Sequence, residues 1–194
     1  DGVSASDAAV AQLPRERVLR VLGGKWLCAA VAAAAELGIP EALAERPRSV
    51  SDLGADLGCD SSALERLLSA LRGAEFVDVD SEGNFRLTEA GACLREDDLG
   101  PLARLIGSDF NWAPWGAFAE GVKSGGASFE AYHGRGLFEH LDTDARAAAA
   151  YHDGIASFVR GEAQAIAESF DFSRAKRVVD LGGGQGDLLA EVLG

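Results

Sequence analysis

The sequence predicts a mainly helical protein whose last residues begin an α/β domain. Apolar residues recur at three- or four-residue spacing through most of the chain, and a short alternating hairpin interrupts them once. Residues 177–193, RVVDLGGGQGDLLAEVL, are typical of an apolar strand, a glycine-rich loop and an apolar helix. We therefore divide the chain into an N-terminal domain (1–101), a helical middle region (102–170) and the start of an α/β domain (171–194).

The composition is that of a globular protein with a substantial core. Of its 194 residues, 47% are hydrophobic and 25% are charged. Acids outnumber bases 31 to 18, and the net charge of −13 disfavours broad nucleic-acid binding because phosphates would be repelled.

Cysteine usage and apolar runs indicate the cytoplasm. Cys28, Cys59 and Cys93 show neither a metal-binding pair nor the even number typical of disulfides, so we expect reduced thiols and no metal site. The first residues do not resemble a secretion signal. The longest uncharged apolar run, 27–35, is far shorter than the ~20 residues of a membrane span, so we expect no membrane partner.

The first predicted helix covers residues 15–37. Its apolar positions follow helical spacing, from Val18, Leu22 and Trp26 onward to Leu37. Gly38 and Pro40 then predict the end of this helix and the start of a short one through Leu43. The alanine-rich surface favours close helix packing, either within the core or against a second copy.

Two further helices and a hairpin predict a winged helix. Ser51 is the expected cap of a helix over 52–57, and Asp60 or Ser61 that of a helix ending at Gly73. Strands are expected at 76–79 and 85–87, joined by the turn DSEGN. Helices at a tight turn followed by a hairpin form this motif.

Winged helices often bind DNA, so a DNA-binding regulator is an alternative function. The would-be reading helix, 61–72, carries only Arg66 and Arg72 as bases, and the wing carries Asp78, Asp80 and Glu82. A wing that lies on phosphates should be basic. The charges therefore favour a structural or dimerising role.

The middle region contains half of the aromatic residues of the chain: Phe110, Trp112, Trp115, Phe118, Phe129, Tyr132 and Phe138. Aromatic side chains dominate cores, so ordinary core packing is one interpretation. A wall of an aromatic substrate pocket is the other. A long helix follows at 145–169, with Tyr151, Ile155, Phe158 and Ile166 on its apolar face.

The glycine loop at the end of the chain has the spacing D-x-G-x-G-x-G, from Asp180 through Gly182 and Gly184 to Gly186. A dinucleotide-binding loop, GxGxxG, would need glycine where Asp187 stands, and a P-loop would need a lysine that is absent. An acid at the end of the strand suits a ligand with an ammonium group rather than a pyrophosphate. S-adenosylmethionine carries an ammonium and a sulfonium and no phosphate.

With this loop and the preceding order of elements, nearly the whole chain resembles the N-terminal half of a known enzyme family. These are the bacterial small-molecule O-methyltransferases related to plant caffeate-type enzymes. Their winged-helix dimerisation domain, helical middle and DxGGGxG loop come in this order. The stretch WGAFAEGVKSGGASFEAYHGRGLFEHL is similar to the Trp, Gly and Phe pattern of that family.

The resemblance implies a homodimeric, S-adenosylmethionine-dependent O-methyltransferase with a Rossmann-like domain, acting on a hydroxyl of an aromatic natural product such as an antibiotic precursor. It implies cofactor contacts from Asp180, Gly182, Gly183, Gly184, Gln185, Gly186 and Arg146. It also places five aromatic residues over the cofactor cleft as a substrate pocket: Phe110, Trp112, Trp115, Phe138 and Phe158.

The resemblance places two catalytic parts beyond Gly194, namely the general-base histidine and the acid that holds the ribose. We therefore expect the sequence to be part of a longer chain, and these residues alone not to catalyse the reaction. His133, His140 and His152 do not match the general base and are expected at the surface or in packing contacts. A relative that binds S-adenosylmethionine without transferring its methyl group is a further alternative.

Overall fold

The computed structural model describes residues 14–184 and 186–193, which form helices and one two-stranded sheet. The N-terminal part contains α1 (Pro14–Glu36), α2 (Ile39–Ala44), α3 (Val50–Leu57), α4 (Ser61–Gly73), β1 (Val77–Val79), β2 (Phe85–Leu87) and α5 (Glu89–Ala92). It is followed by α6 (Gly100–Gly107), α7 (Asp109–Trp112), a 3-10 helix (Ala113–Ala117), α8 (Phe118–Ser124), α9 (Ser128–His133), α10 (Leu137–Thr143) and α11 (Ala145–Ser169). A 3-10 turn (Phe172–Arg174) and α12 (Asp187–Leu193) complete the described part.

The main core lies where α1 to α4 meet the hairpin. Leu53, Leu68 and Leu71 are almost fully buried there and pack with Ile39 and Val77. The hairpin is antiparallel, with Val77 opposite Leu87 and Val79 opposite Phe85. The predicted succession of two helices and a hairpin is confirmed, with the first strand one residue shorter than expected.

The cap of α3 differs from the prediction. Ser49, in extended backbone, accepts a hydrogen bond from the Asp52 amide at 3.2 Å, whereas Ser51 lies inside the first turn. A cap must precede the first helical residue, so the helix begins at Val50, two residues earlier than predicted. Asp60 caps α4 as predicted, accepting from the Ala63 amide at 2.8 Å.

Helix α1 is buried only near its end. Ala32, Ala34 and Ala35 are buried, but Val18, Val21, Leu22 and Trp26 are more than half exposed. Interpreting α1 as a wholly buried helix is therefore wrong for its first half. Its length and composition also match those of a membrane-crossing helix, contrary to the run-length argument. This is weak evidence, because helices of water-soluble proteins pass the same test.

Helix α6 lies between α1 and α11 at close range. A Cβ at Gly107 would stand 2.4 Å from the Cβ of Ala32 on α1. A Cβ at Gly154 on α11 would stand 2.7 Å from the side chain of Leu105 on α6. Glycine at each contact lets the helix axes approach, so α6 joins the N-terminal core to α11.

The strand predicted before the glycine loop is not formed in the described residues. Positions 177–180 have no regular secondary structure, and Val179 and Leu181 are 68% and 91% exposed. A parallel strand needs a neighbour for its hydrogen bonds, and none is present beside this segment in the described part. The helix predicted after the loop is present as α12. Cys28, Cys59 and Cys93 form no disulfide.

Candidate functional site

A cavity of about 270 Å³ lies between α11 and the glycine loop. The loop contributes Asp180, Gly182, Gly183 and Gly184, and α12 contributes Asp187 and Leu188. The opposite wall consists of residues from α11: His152, Ile155, Ala156, Val159, Glu162, Ala163 and Ile166. The cavity thus combines an apolar helix face with a glycine-rich, acidic rim.

The α11 wall follows from the spacing of its apolar residues. Ile155, Val159, Ala163 and Ile166 recur every three or four positions and so share one face. Asp144 caps the helix, because its Oδ1 accepts hydrogen bonds from the amides of Ala147 and Arg146, each at 3.0 Å. The Ala147 bond, followed by that of Arg146, holds the pKa of Asp144 below its usual value.

Asp180 lies directly against Gly183. A Cβ built on Gly183 would be 2.1 Å from Asp180 Oδ2, far inside contact distance. That Oδ2 atom is buried and has no hydrogen-bond partner in the described part of the chain. A buried, unpaired carboxylate oxygen is costly unless a ligand or another group satisfies it.

The loop backbone faces open space at three glycines, Gly182, Gly184 and Gly186. Gly182 and Gly184 have φ of 79° and 56°, and a Cβ at either position would meet nothing within 4 Å. Gly186 also has positive φ, and its amide donates to the Gly183 carbonyl at 2.8 Å. The positive φ values require glycine, while the open space leaves the backbone accessible to a ligand.

The structure gathers only some of the predicted cofactor residues. Asp180, Gly182, Gly183 and Gly184 line the cavity together. Gly186 and Arg146 do not line it, and Arg146 is exposed on the first turn of α11. Gln185 lies outside the described residues.

None of the five predicted pocket aromatics lines this cavity. Trp115, Phe138 and Phe158 are 65%, 71% and 53% exposed, while Phe110 and Trp112 are half-buried. None of the aromatic residues between 110 and 138 is buried, so interpreting them as ordinary core is wrong for the described chain. Their role as a substrate pocket stays a prediction.

The histidines occupy two different environments. His133 and His140 lie 4.5 Å apart between ring centroids and pack with Phe129 and Phe110. His133 Nε2 is 2.9 Å from the Phe110 carbonyl oxygen. Their predicted packing role is confirmed.

His152 is exposed, as predicted, but it also lines the cavity together with Glu162. Neither position was predicted from the sequence to lie in the site. The sequence did carry a signal for them. His152 lies three residues before Ile155, and Glu162 lies three residues after Val159.

Two family models match the chain. The O-methyltransferase dimerisation domain matches residues 19–97, and the O-methyltransferase domain matches residues 115–194.

Characterised proteins and solved structures are similar over most of the chain. The mitomycin biosynthesis 6-O-methyltransferase of Streptomyces lavendulae is 33% identical over 92% of this chain and 52% of its own. The 8-amino-8-demethylriboflavin N,N-dimethyltransferase of Streptomyces davaonensis is 32% identical over 83% of this chain and 48% of its own. The crystal structure of CalO1, a methyltransferase in calicheamicin biosynthesis with SAH bound, has a TM-score of 0.78 at 30% identity and covers 91% of this chain and 54% of its own. The chain thus spans about half the length of the relatives that it matches.

Proposed function

Because the chain belongs to the O-methyltransferase family, with matches in both the dimerisation and the methyltransferase segment, we propose that the protein methylates a hydroxyl group of an aromatic natural product. S-adenosylmethionine is the proposed methyl donor. The observation that carries the proposal is the cavity in which Asp180 and the glycine loop face the apolar wall of α11.

The residues of the cavity fit S-adenosylmethionine. The unpaired Oδ2 of Asp180 offers an acceptor to an ammonium group, and no Lys or Arg is among the residues that line the cavity. The open backbone at Gly182 and Gly184 admits a ligand at close range. Gly183 is a further proposed contact in this cavity. Gly186, Gln185 and Arg146 stay predicted cofactor contacts, although Gly186 and Arg146 do not line the cavity in the described residues.

S-adenosylmethionine supplies an electrophilic methyl group when bound. The role of this chain is to hold the donor so that an acceptor oxygen approaches in line, which lowers the entropic part of the barrier. Ile155, Val159 and Ile166 give the cavity an apolar wall against which the donor can lie. Removal of the hydroxyl proton needs a general base, and a histidine stays the predicted one.

The acceptor is proposed to be a flat aromatic molecule. Phe110, Trp112, Trp115, Phe138 and Phe158 are partly or largely exposed here and so remain available to stack on a ring. The similarity to an enzyme of mitomycin biosynthesis supports a natural-product acceptor.

A nitrogen acceptor is the second candidate. It is favoured by the 32% identity to a riboflavin-type N,N-dimethyltransferase. Both reactions need the same donor site, so the acceptor atom must be determined from the methylated product.

For the assembly, we propose a winged-helix domain (1–101) that forms a homodimer, a helical region (102–170) and the start of a Rossmann-like domain (171–194). The exposed apolar face of α1 supports the dimer. In the wing, Arg86 pairs with Asp78 at 2.7 Å, which leaves little positive charge for DNA. The unpaired cysteines are compatible with the cytoplasm.

Calorimetry with S-adenosylmethionine tests the proposed function. We expect saturable binding by the wild type and loss of binding in Gly184→Val, because a branched residue is strained at φ 56° and projects into the open space. Equal affinity in both proteins would refute the assignment of this loop.

A further inference from the structure

Arg160 links α11 to the loop between α5 and α6. Its Nη1 donates to the backbone carbonyl of Asp97 at 2.5 Å, across 63 residues of sequence. Asp97 is the last residue matched by the dimerisation model, whereas Arg160 lies in the segment matched by the methyltransferase model. The bond therefore connects the two matched segments at the point where the first ends.

The loop that receives Arg160 is itself held on its other side. The Glu96 amide donates to Glu41 Oε1 at 2.8 Å, and the Glu96 carboxylate pairs with Arg104 of α6 at 2.6 Å. Gly100 lies so close to the loop that a Cβ there would be 2.6 Å from the Arg95 carbonyl oxygen. The Asp97 carbonyl is thus a fixed point relative to α2 and α6.

The same turn of α11 forms part of the cavity wall. Val159 and Ala163 line the cavity on either side of Arg160 in sequence. Successive residues are about 100° apart around a helix, so Arg160 leaves from a different side than Val159. The rotation and depth of this turn therefore determine both the Arg160 bond and the shape of the wall.

We propose that Arg160 is a positioning residue for the cofactor cavity: by binding the Asp97 carbonyl, it fixes the turn 159–163 opposite the glycine loop. This inference rests on the proposed function, since the cavity is taken to bind S-adenosylmethionine. Without the bond, α11 spends less time in the binding-competent position, and the apparent dissociation constant rises by the inverse of the competent fraction. If the binding-competent fraction falls to between a third and a tenth of its wild-type value, the apparent dissociation constant rises about 3- to 10-fold.

The test compares three variants of the full chain by calorimetry with S-adenosylmethionine and by amide hydrogen exchange over residues 155–166. Arg160→Ala should raise the dissociation constant about 3- to 10-fold and accelerate exchange in this segment. Arg160→Lys keeps a charged donor and should recover affinity to within about twofold of the wild type. Arg66→Ala is the control, because it removes an exposed arginine that bonds Ser62 on its own helix, α4, and it should leave affinity and exchange unchanged. If thermal melting shows Arg160→Ala to be unfolded, Arg160→Gln takes its place.

Each outcome decides a separate question. Failure of the wild type to bind S-adenosylmethionine would refute the proposed function, while hydrogen exchange would still decide whether Arg160 positions α11. Unchanged affinity and exchange in Arg160→Ala would overturn the positioning role. An equal effect of Arg66→Ala would also overturn it, because the loss of an exposed arginine anywhere in the chain would then be the cause.

Discussion

The carboxylate of Asp180 occupies the space that a side chain on Gly183 would need, since a Cβ there would stand 2.1 Å from Oδ2. The two residues are three positions apart and face the same cavity. Gly183 has an ordinary backbone conformation, unlike its neighbours Gly182 and Gly184, so the contact, and not the dihedral angle, requires glycine. The Asp180 carboxylate can therefore lie where it does only because residue 183 has no side chain.

Gly183→Ala should therefore move the Asp180 carboxylate and weaken cofactor binding. Loss of a charge-assisted hydrogen bond costs about 1.5–3 kcal/mol, which corresponds to roughly 10- to 150-fold in affinity. Calorimetry measures the effect. Gly73→Ala at the end of α4 is the control, because a Cβ there meets nothing within 4 Å and the residue does not line the cavity, so affinity should be unchanged. Wild-type affinity in Gly183→Ala would contradict this account.

Gly154→Ala should destabilise the fold. Its Cβ would meet the Leu105 side chain at 2.7 Å, and overpacking typically costs about 1–3 kcal/mol. Gly161→Ala lies on the same helix with free space around it and should gain about 0.5–1 kcal/mol from helix propensity. Denaturant unfolding measures the free energy of unfolding of both variants. If it changes in the same direction in both, the Leu105 contact does not limit packing at Gly154.

Val21→Glu should disrupt the proposed homodimer. Val21 is 71% exposed on the apolar face of α1, and an unpaired charge is costly in an apolar interface. Sedimentation at micromolar concentration should show monomers for this variant and dimers for the wild type. Val122→Glu, at 69% exposure on α8, makes the same change outside the N-terminal domain and should remain dimeric. A dimeric Val21→Glu protein would place the interface elsewhere.

The Asp144→Asn variant should lose less stability than the wild type as the pH falls into the acid range. The amide of Ala147, then that of Arg146, lowers the pKa of Asp144 in the folded state. Because the pKa of Asp144 is lower in the folded state, the ionised carboxylate stabilises the folded protein at pH values above the pKa of the unfolded state, about 3.9. This stability is lost as the pH falls through the pKa of the folded state. Asparagine also caps helices but does not titrate. Melting temperatures measured from neutral pH down to acid should therefore fall less in the variant, and parallel curves would contradict the prediction.

Phe138→Ala should raise the apparent KM for the methyl acceptor, while the affinity for the cofactor stays nearly constant. Phe138 is 71% exposed and meets Tyr151 edge-on, with 6.5 Å between ring centroids. A buried Phe or Trp would lose about 3–5 kcal/mol on truncation, but this exposure predicts much less. Steady-state kinetics and thermal melting separate the two effects. Lower stability with unchanged acceptor kinetics would assign the ring to packing.

The sequence predicted most of the helices because their signals are local. The apolar spacing of α11 and the Asp60 cap each depend on a few neighbouring residues. The strand before the glycine loop was predicted from its own residues, but a strand also depends on a partner outside the segment.

In the cavity, Asp180, Gly182, Gly183 and Gly184 lie together as the spacing of the loop predicted, whereas Gly186 does not line it. The places of His152 and Glu162 depend on how α11 is rotated against the loop, and the exposure of Trp115 depends on what packs around it. Helical spacing indicates that His152 and Glu162 lie near the face of Ile155 and Val159, but only tertiary packing determines that this face meets the glycine loop.

The position of α6 has a consequence for the order of folding. The residues that contact α6 are distant from it in sequence: Ala32 is 75 residues before Gly107, and Gly154 is 49 residues after Leu105. Both contacts close long loops, whose entropic cost must be met before packing repays it. Helices α1 and α11 can form from local interactions alone, whereas their docking onto α6 requires distant segments to meet. We therefore expect rapid helix formation followed by a slower step in which α6 is enclosed, with the cavity wall ordered only in that last step.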